Sequence, residues 1–140
     1  MKQTLRLFIA QEDGASAVEF ALILPVLLTM IFGIICFGQY FAIANSLQQL
    51  AAEAARYSAN GISATERETL ASSFITNAGV RFSFLRQDKI APTITMHSGT
   101  VPDGIEVSLA YDLEGTAVDV ADGFIGLNLP TLTRSSYLAY

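Results

Sequence analysis

The sequence predicts an α+β protein: a long N-terminal transmembrane helix that continues into a small domain with one short helix and a three- to four-stranded antiparallel sheet. Three observations predict this fold class. A run of nineteen residues without a charge extends from Phe20 to Gly38. Alanine-rich sequence with helical periodicity follows it. After Gly79 the hydrophobic period changes from that of a helix to that of a strand.

The uncharged run predicts a helix that crosses a membrane. At ~1.5 Å per residue the run would be about 28 Å long, close to the ~30 Å hydrocarbon core of a bilayer. A soluble surface helix of this length would have a polar face, because water must solvate one side, and the run has none. We expect the transmembrane helix to occupy residues 15–44.

Residues 1–14 precede this helix and set its expected direction. They contain Lys2 and Arg6, whereas the opposite flank up to Asn60 contains only Arg56. The positive-inside rule therefore favours a cytoplasmic N-terminus and a C-terminal domain outside the cytoplasm. A secretory signal peptide remains an alternative, because residues 42–44 read Ala-Ile-Ala, although the apolar run is longer than the usual h-region of about 7–15 residues.

Residues 45–60 predict an extension of the same helix beyond the bilayer. Small and apolar residues recur there at steps of three and four: Leu47, Leu50, Ala51, Ala54 and Ser58. We expect one helix from Ser16 to Ala59, stopped by Asn60-Gly61. The stripe fits packing against the chain's own domain or against a partner helix, and the sequence leaves both open.

Residues 61–140 are expected to form the α+β domain outside the cytoplasm. A capping box at Ser63–Glu66 predicts a short helix over residues 64–77. Alternating apolar residues then predict strands around residues 80–85, 94–96 and 105–111. The last two would be joined by a hairpin connection over residues 98–104. We expect the tail, residues 116–132, to lie on the domain and residues 133–140 to form an edge strand.

The segment Gly14–Pro25 resembles the processing region of TadE-like minor pilins (pseudopilins) of tight-adherence, or Flp, pilus systems. Those proteins typically read G-x-x-x-V-E-F-A-L-x-x-P. The matching residues are Gly14, Val18, Glu19, Phe20, Ala21, Leu22 and Pro25. Ala51–Arg56 is similar to a second, alanine- and arginine-rich stretch of the family, with Glu53 where a base is often seen. Residues 129–132 resemble the family's end more loosely.

The resemblance implies cleavage between Gly14 and Ala15 by a prepilin peptidase, with Glu19 and Phe20 completing the processing motif. It also implies that Glu19 pairs with the N-terminal amine of a neighbouring subunit during assembly. Pro25 is expected to bend or loosen the helix. Considered alone, Glu19 is better explained as a residue that snorkels to the headgroups or complements the helix dipole, and it is the family spacing of Gly14, Phe20 and Pro25 that favours the functional role.

Composition excludes several other functions. A net charge of −5, without a cluster of basic residues, argues against nucleic acid. One histidine, His97, and one cysteine, Cys36, cannot build the common catalytic triads or cysteine metal sites. We expect no catalytic residue, cofactor or metal. Six acids between Asp103 and Asp122 could form a calcium site, but a solvated face fits them better, since the usual loop spacing is missing.

These observations favour a structural protein of the bacterial inner membrane that spans it once and possesses no enzyme activity. The implied partners are a prepilin peptidase, other Flp or Tad pilins and pseudopilins, the inner-membrane assembly platform and the lipid bilayer. A membrane-anchored binding module that is never processed is the alternative. A membrane-tethered enzyme would require a polar pocket lined by the acids of residues 103–122.

Overall fold

The structure is a computed structural model that describes residues 12–99, 103–126, 128–129 and 131–140. Its elements, in chain order, are α1 (Glu12–Ser58), α2 (Ala64–Asn77), β1 (Ile90–His97), β2 (Gly104–Asp112), α3 (Ala117–Ile125) and β3 (Thr131–Ala139). The predicted α+β class is confirmed. Two compact units divide the chain, the first ending at Cys36 and the second comprising Phe37–Tyr140.

In the second unit, α1 supplies a stripe of small and apolar side chains to the core. Leu47, Leu50, Ala51 and Ala54 are fully buried and belong to one hydrophobic cluster with residues of β2. Ser58 is also buried, and its hydroxyl donates to the Ala55 carbonyl over 2.6 Å, so this polar group is satisfied. The predicted stripe is therefore used for packing within the chain.

The sheet has the order β1-β2-β3, and both pairs are antiparallel. Ile105, Val107, Leu109 and Tyr111 of the central strand β2 are buried in the core. The residues between them, from Glu106 to Asp112, are half-buried on the other face. This period of two is what the sequence predicts for residues 105–111, and the pairing of β1 with β2 confirms the predicted antiparallel hairpin.

Both outer strands of the sheet have a feature that limits further pairing. On β3, the Ser135 carbonyl accepts a hydrogen bond of 3.0 Å from Gln48 Nε2 of α1. On β1, Pro92 contributes no backbone N–H, and α2 contacts the strand. The edges of the sheet are therefore partly occupied by the chain's own groups.

The predicted short helix is confirmed, with the bounds Ala64–Asn77. The Glu66 N–H donates to Ser63 Oγ over 3.2 Å, and Glu66 Oε2 accepts from the Ile62 N–H over 2.8 Å. This reciprocal pair satisfies two backbone donors at the start of α2, as the capping-box pattern predicts.

The predicted strand over residues 80–85 is wrong. A short 3-10 turn occupies Ala78–Val80, and the Leu85 N–H then donates to the Phe82 carbonyl over 2.9 Å. Phe82 and Leu85 are buried, whereas Phe84 is 62% exposed. Because the two buried residues are three apart, a turn brings both to the core, which an extended strand would not do.

The sequence did not predict α3, which lies inside the segment interpreted as a tail. Its Asp119 N–H donates to Thr116 Oγ1 over 3.3 Å, and Gly126 ends it in the left-handed conformation. The edge strand expected over residues 133–140 is confirmed as β3. Residues 100–102 of the connection between β1 and β2, and Pro130, lie outside the described residues.

Candidate processing and assembly segment

The structure places Gly14, Ala15, Glu19, Phe20 and Pro25 on α1, and all five are exposed. The bond between Gly14 and Ala15 lies in the first turn of this helix. Backbone N–H groups of a first turn have no partner within the helix, so this turn is the easiest part to open. Most of the predicted leader, including Lys2 and Arg6, lies outside the described residues.

Among the residues that the structure describes, no contact requires a glycine at position 14. A Cβ atom built at Gly14 would meet no heavy atom within 4 Å. A glycine inside a helix costs ~0.5–1 kcal/mol relative to alanine, because it loses more backbone entropy. Gly14 therefore weakens the start of α1 without a compensating contact in the described chain, which suggests a requirement other than folding.

Glu19 is isolated from other charges along α1. It is the only charged residue between Asp13 and Glu53, and the nearest basic residues in the sequence are Arg6 and Arg56. Ala15 and Glu19 are four residues apart, so they share one helix face. A positive charge at Ala15 would therefore lie one helical turn from this carboxylate within the same chain.

Pro25 lies inside α1 without ending it. A proline has no N–H to donate to the carbonyl four residues earlier, which here belongs to Ala21. The hydroxyl of Thr29 donates to the Pro25 carbonyl over 2.8 Å, which adds a side-chain bond next to the missing backbone bond. The helix is thus continuous but has one fewer backbone hydrogen bond at this point.

Most apolar side chains between Val18 and Ile35 are exposed. Leu22 is 72% exposed, Ile34 is 71% exposed and Phe32 is 38% exposed. Within Gly14–Ser58 the most apolar window is 6% buried, and the helix is long and apolar enough to cross a membrane. A core helix of a soluble protein would be mostly buried, so this surface is available to lipid or to other apolar helices.

The acids of residues 103–122 mostly serve the chain's own turns. Asp103 Oδ1 accepts from the Gly99 N–H, Asp112 Oδ1 from the Glu114 N–H, and Asp119 Oδ2 from the Gly115 N–H, each over 2.9 Å. Among the residues that the structure describes, no group of three or more His, Cys, Asp and Glu side chains could hold a metal ion.

His97 lies at the end of β1, where Nε2 is 3.2 Å from Glu106 Oε2 and the ring meets Tyr137 edge to face. A cleft in the second unit is lined by Tyr57, Ser73, Phe74, Asn77, Ala78 and Arg81. None of the six acids lines this cleft, so it is not the acidic pocket that a tethered enzyme would require.

These features define the class of the protein: an α+β protein with one N-terminal apolar helix able to cross a membrane. Residues 14–56 match the family described as TadE-like protein, so this segment is TadE-like and the resemblance seen in Gly14–Pro25 is confirmed. No curated protein and no solved structure matches the chain. The matched range begins at Gly14 and leaves the second half of the chain outside it.

Proposed function

We propose that this protein is a TadE-like minor pilin, or pseudopilin, that takes part in assembling a Flp (tight-adherence) pilus at the bacterial inner membrane. The observation that supports this most strongly is the TadE-like match, which starts at Gly14 and covers the exposed apolar run together with Glu19, the acid at its start. In this proposal residues 1–14 are a prepilin leader, residues 15–44 span the membrane, residues 45–60 extend the helix, and residues 61–140 fold outside the cytoplasm.

Cleavage after Gly14 would change the charge at the start of the helix but not the net charge of the protein. The leader contains Lys2, Arg6, Glu12 and Asp13, so two positive and two negative side chains leave together and the formal net charge stays at −5. The new α-amino group on Ala15 is largely protonated at neutral pH. Processing therefore places one cation at the end of an apolar helix, on the same face as Glu19.

Glu19 would set the register of assembly. A carboxylate in hydrocarbon without a partner costs several kcal/mol, whereas the ion pair itself adds little net stability, because desolvation offsets the attraction. A neighbouring helix is therefore rejected in any position that leaves Glu19 unpaired. It is accepted where its Ala15 amine meets the carboxylate.

The partners proposed on this basis are a prepilin peptidase, other Flp or Tad pilins and pseudopilins, the inner-membrane assembly platform and the surrounding bilayer. The protein acts as a substrate of the peptidase and as a building block, with no catalytic role of its own. A binding module anchored by the same helix and never processed is the alternative.

The first test measures processing. Intact mass of the protein purified from membranes containing a prepilin peptidase is expected to show loss of residues 1–14. Gly14→Leu, which places a side chain beside the scissile bond, is expected to remain full length. Gly38→Leu is the matched control, because a Cβ there also meets nothing within 4 Å. A full-length wild-type mass in the presence of the peptidase would support the unprocessed anchor.

The second test measures assembly. Glu19→Gln keeps the size of the side chain and removes the charge, and we expect normal cleavage but fewer and shorter pili, because wrongly registered helix pairs no longer carry the penalty of an unpaired carboxylate. Glu68→Gln, an exposed acid of α2, is the control. Normal pilus number and length with Glu19→Gln would refute the proposed role of the carboxylate.

A further inference from the structure

We propose that α3 forms a second membrane contact, with its exposed side chains Val120, Phe124 and Ile125 inserted into the outer interface of the bilayer that α1 crosses. These three side chains are called the α3 apolar face below. The inference rests on the insertion of α1 that the proposed function includes, and it adds a lipid-binding surface on the second unit.

The level at which α1 leaves the bilayer is marked by residues 39–41. Gln39 is the first polar side chain after the apolar run Phe20–Gly38. Tyr40 and Phe41 follow it, with ring centroids 5.8 Å apart, and Phe41 is 59% exposed. Tyrosine is enriched where lipid meets water. The outer boundary of the hydrocarbon core therefore lies close to Gln39.

The first residue of α3 lies at the same level. Gln39 Oε1 accepts a hydrogen bond from the backbone N–H of Ala117, with 2.6 Å between the two atoms. A nine-residue helix is about 14 Å long, so every residue of α3 lies within that distance of the boundary. Interfacial helices bury their apolar faces ~5–10 Å into the boundary between headgroups and acyl chains, a depth that α3 can reach.

Three apolar side chains of α3 are exposed, and both of its acids are bonded within the chain. Val120 is 50% exposed, Phe124 is 85% exposed and Ile125 is 67% exposed. Val120 and Phe124 are four residues apart and lie on one helix face. The two acids of α3 accept hydrogen bonds from the chain itself, Asp119 from the Gly115 N–H and Asp122 from the Leu129 N–H.

Lipid is a better occupant of this face than a second protein. Three side chains cannot supply the roughly 800 Å² per partner of a typical stable interface, whereas lipid needs no complementary shape and α1 already anchors the chain. Residues 117–125 contain no Lys or Arg. The contact should therefore depend on insertion of apolar side chains, and its strength should not change with the fraction of anionic lipid.

Tryptophan fluorescence can test this contact, because the chain contains no Trp. Three single-Trp variants of the full chain are reconstituted in phosphatidylcholine vesicles, with and without bromine on the acyl chains, which quenches tryptophan on contact. Phe124→Trp reports on the α3 apolar face and Phe37→Trp on the membrane-spanning run. Ile62→Trp, at a site 93% exposed and beyond the end of α1, is the water-exposed control.

We expect bromine to remove roughly half or more of the Phe124→Trp emission, as contact at a depth of ~5–10 Å implies. Phe37→Trp should be quenched too, and Ile62→Trp should not. Adding anionic phosphatidylglycerol should leave this pattern unchanged. Quenching of Phe37→Trp without quenching of Phe124→Trp would overturn the inference and leave the proposed function standing. A blue-shifted but unquenched Phe124→Trp would show that protein covers the face, and an unquenched Phe37→Trp would overturn both proposals.

Discussion

Gln39 of α1 and Ala117 of α3 are 78 positions apart in sequence, and a hydrogen bond of 2.6 Å joins Gln39 Oε1 to the Ala117 N–H. Thr116 Oγ1 accepts a second hydrogen bond, from the N–H of Asp119, three residues after Thr116. The first turn of a helix has N–H groups without partners, and here a remote side chain and a local one satisfy two of them. The position of α3 therefore depends on a residue of α1.

We expect Gln39→Ala to loosen α3 without unfolding the second unit. Loss of one hydrogen bond costs ~1 kcal/mol, which corresponds to about fivefold faster amide exchange over residues 118–125. Hydrogen–deuterium exchange of the protein in micelles measures this rate. Gln49→Ala, which removes an exposed side-chain bond to Glu53 on the same helix, is the control. Equal exchange in the wild type and Gln39→Ala would show that this hydrogen bond does not hold α3.

The buried stripe of α1 should dominate the stability of the second unit. Leu50 is fully buried, so Leu50→Ala is expected to lower the free energy of unfolding by ~2–5 kcal/mol, through lost burial and the cavity left behind. Denaturant titration in micelles, followed by tyrosine fluorescence, measures the change. Leu28→Ala, at a site 55% exposed in the first unit, should change it by less than about 0.5 kcal/mol. A comparable loss for both variants would contradict the assigned core.

Gly104 makes room for the Tyr137 ring on the face of the sheet opposite the core. A Cβ at Gly104 would overlap that ring and lie 2.8 Å from the Leu138 carbonyl oxygen. Gly104→Ala should therefore cost ~1–3 kcal/mol, as overpacking does. Combining it with Tyr137→Ser should recover part of that loss, while the backbone contact remains.

The control for this pair is Gly123→Ala in α3, where a Cβ meets nothing within 4 Å. It should leave stability unchanged or raise it, since alanine favours a helix. Strictly additive effects of Gly104→Ala and Tyr137→Ser would contradict the proposed steric relationship.

Arg86 controls the titration of Asp88. The guanidinium Nη2 is 2.9 Å from Asp88 Oδ2 and Nε is 3.3 Å from Oδ1, and these hydrogen bonds hold the pKa of Asp88 below its ordinary value of 3.8. A lowered pKa in the folded state stabilises the fold above the ordinary value. That contribution is lost as the pH falls through the lowered pKa.

We expect Arg86→Gln to raise the pKa of Asp88 towards its ordinary value, as NMR titration of the carboxyl carbon would show. Arg81→Gln removes an equal charge, but Arg81 pairs with Glu53, 3.0 Å away, so the pKa of Asp88 should stay low. Since Asp88 is exposed, the acid stability of the whole protein should change little. An unchanged Asp88 pKa in Arg86→Gln would rule out this pairing in solution.

Features with a strong repeating pattern could be predicted from the sequence. The long helix, the stripe from Leu47 to Ser58 and the strand at residues 105–111 each repeat one period over several turns or alternations, so tertiary packing agrees with the local signal. The segment Gly14–Pro25 was found by resemblance, and the family match over residues 14–56 agrees with it. The described residues do not test the roles assigned to Gly14, Glu19 and Pro25.

Short elements could not be predicted in the same way. The helix α3 has only nine residues, too few for a clear repeating pattern, and the signal that could have found it is the Thr116 cap with Asp119 three residues later. Apolar and polar residues alternate around Phe82 and Phe84, but this alternation does not reflect a strand. A turn buries Phe82 and Leu85 together, and that burial overrides the local pattern. Glu53 departs from the alanine- and arginine-rich stretch of the family. It forms a salt bridge with Arg81, and this pairing is visible only in the fold.

The partly occupied edges of the sheet have a consequence for the proposed pilin, whose copies would share one membrane. Neighbouring copies would collide often, and exposed strand edges would let them pair through their backbones. Gln48 occupies the Ser135 carbonyl on one side, and Pro92 withholds a donor on the other. Under the proposed function, these two features would disfavour association of neighbouring copies through their sheets and leave assembly to contacts between their helices.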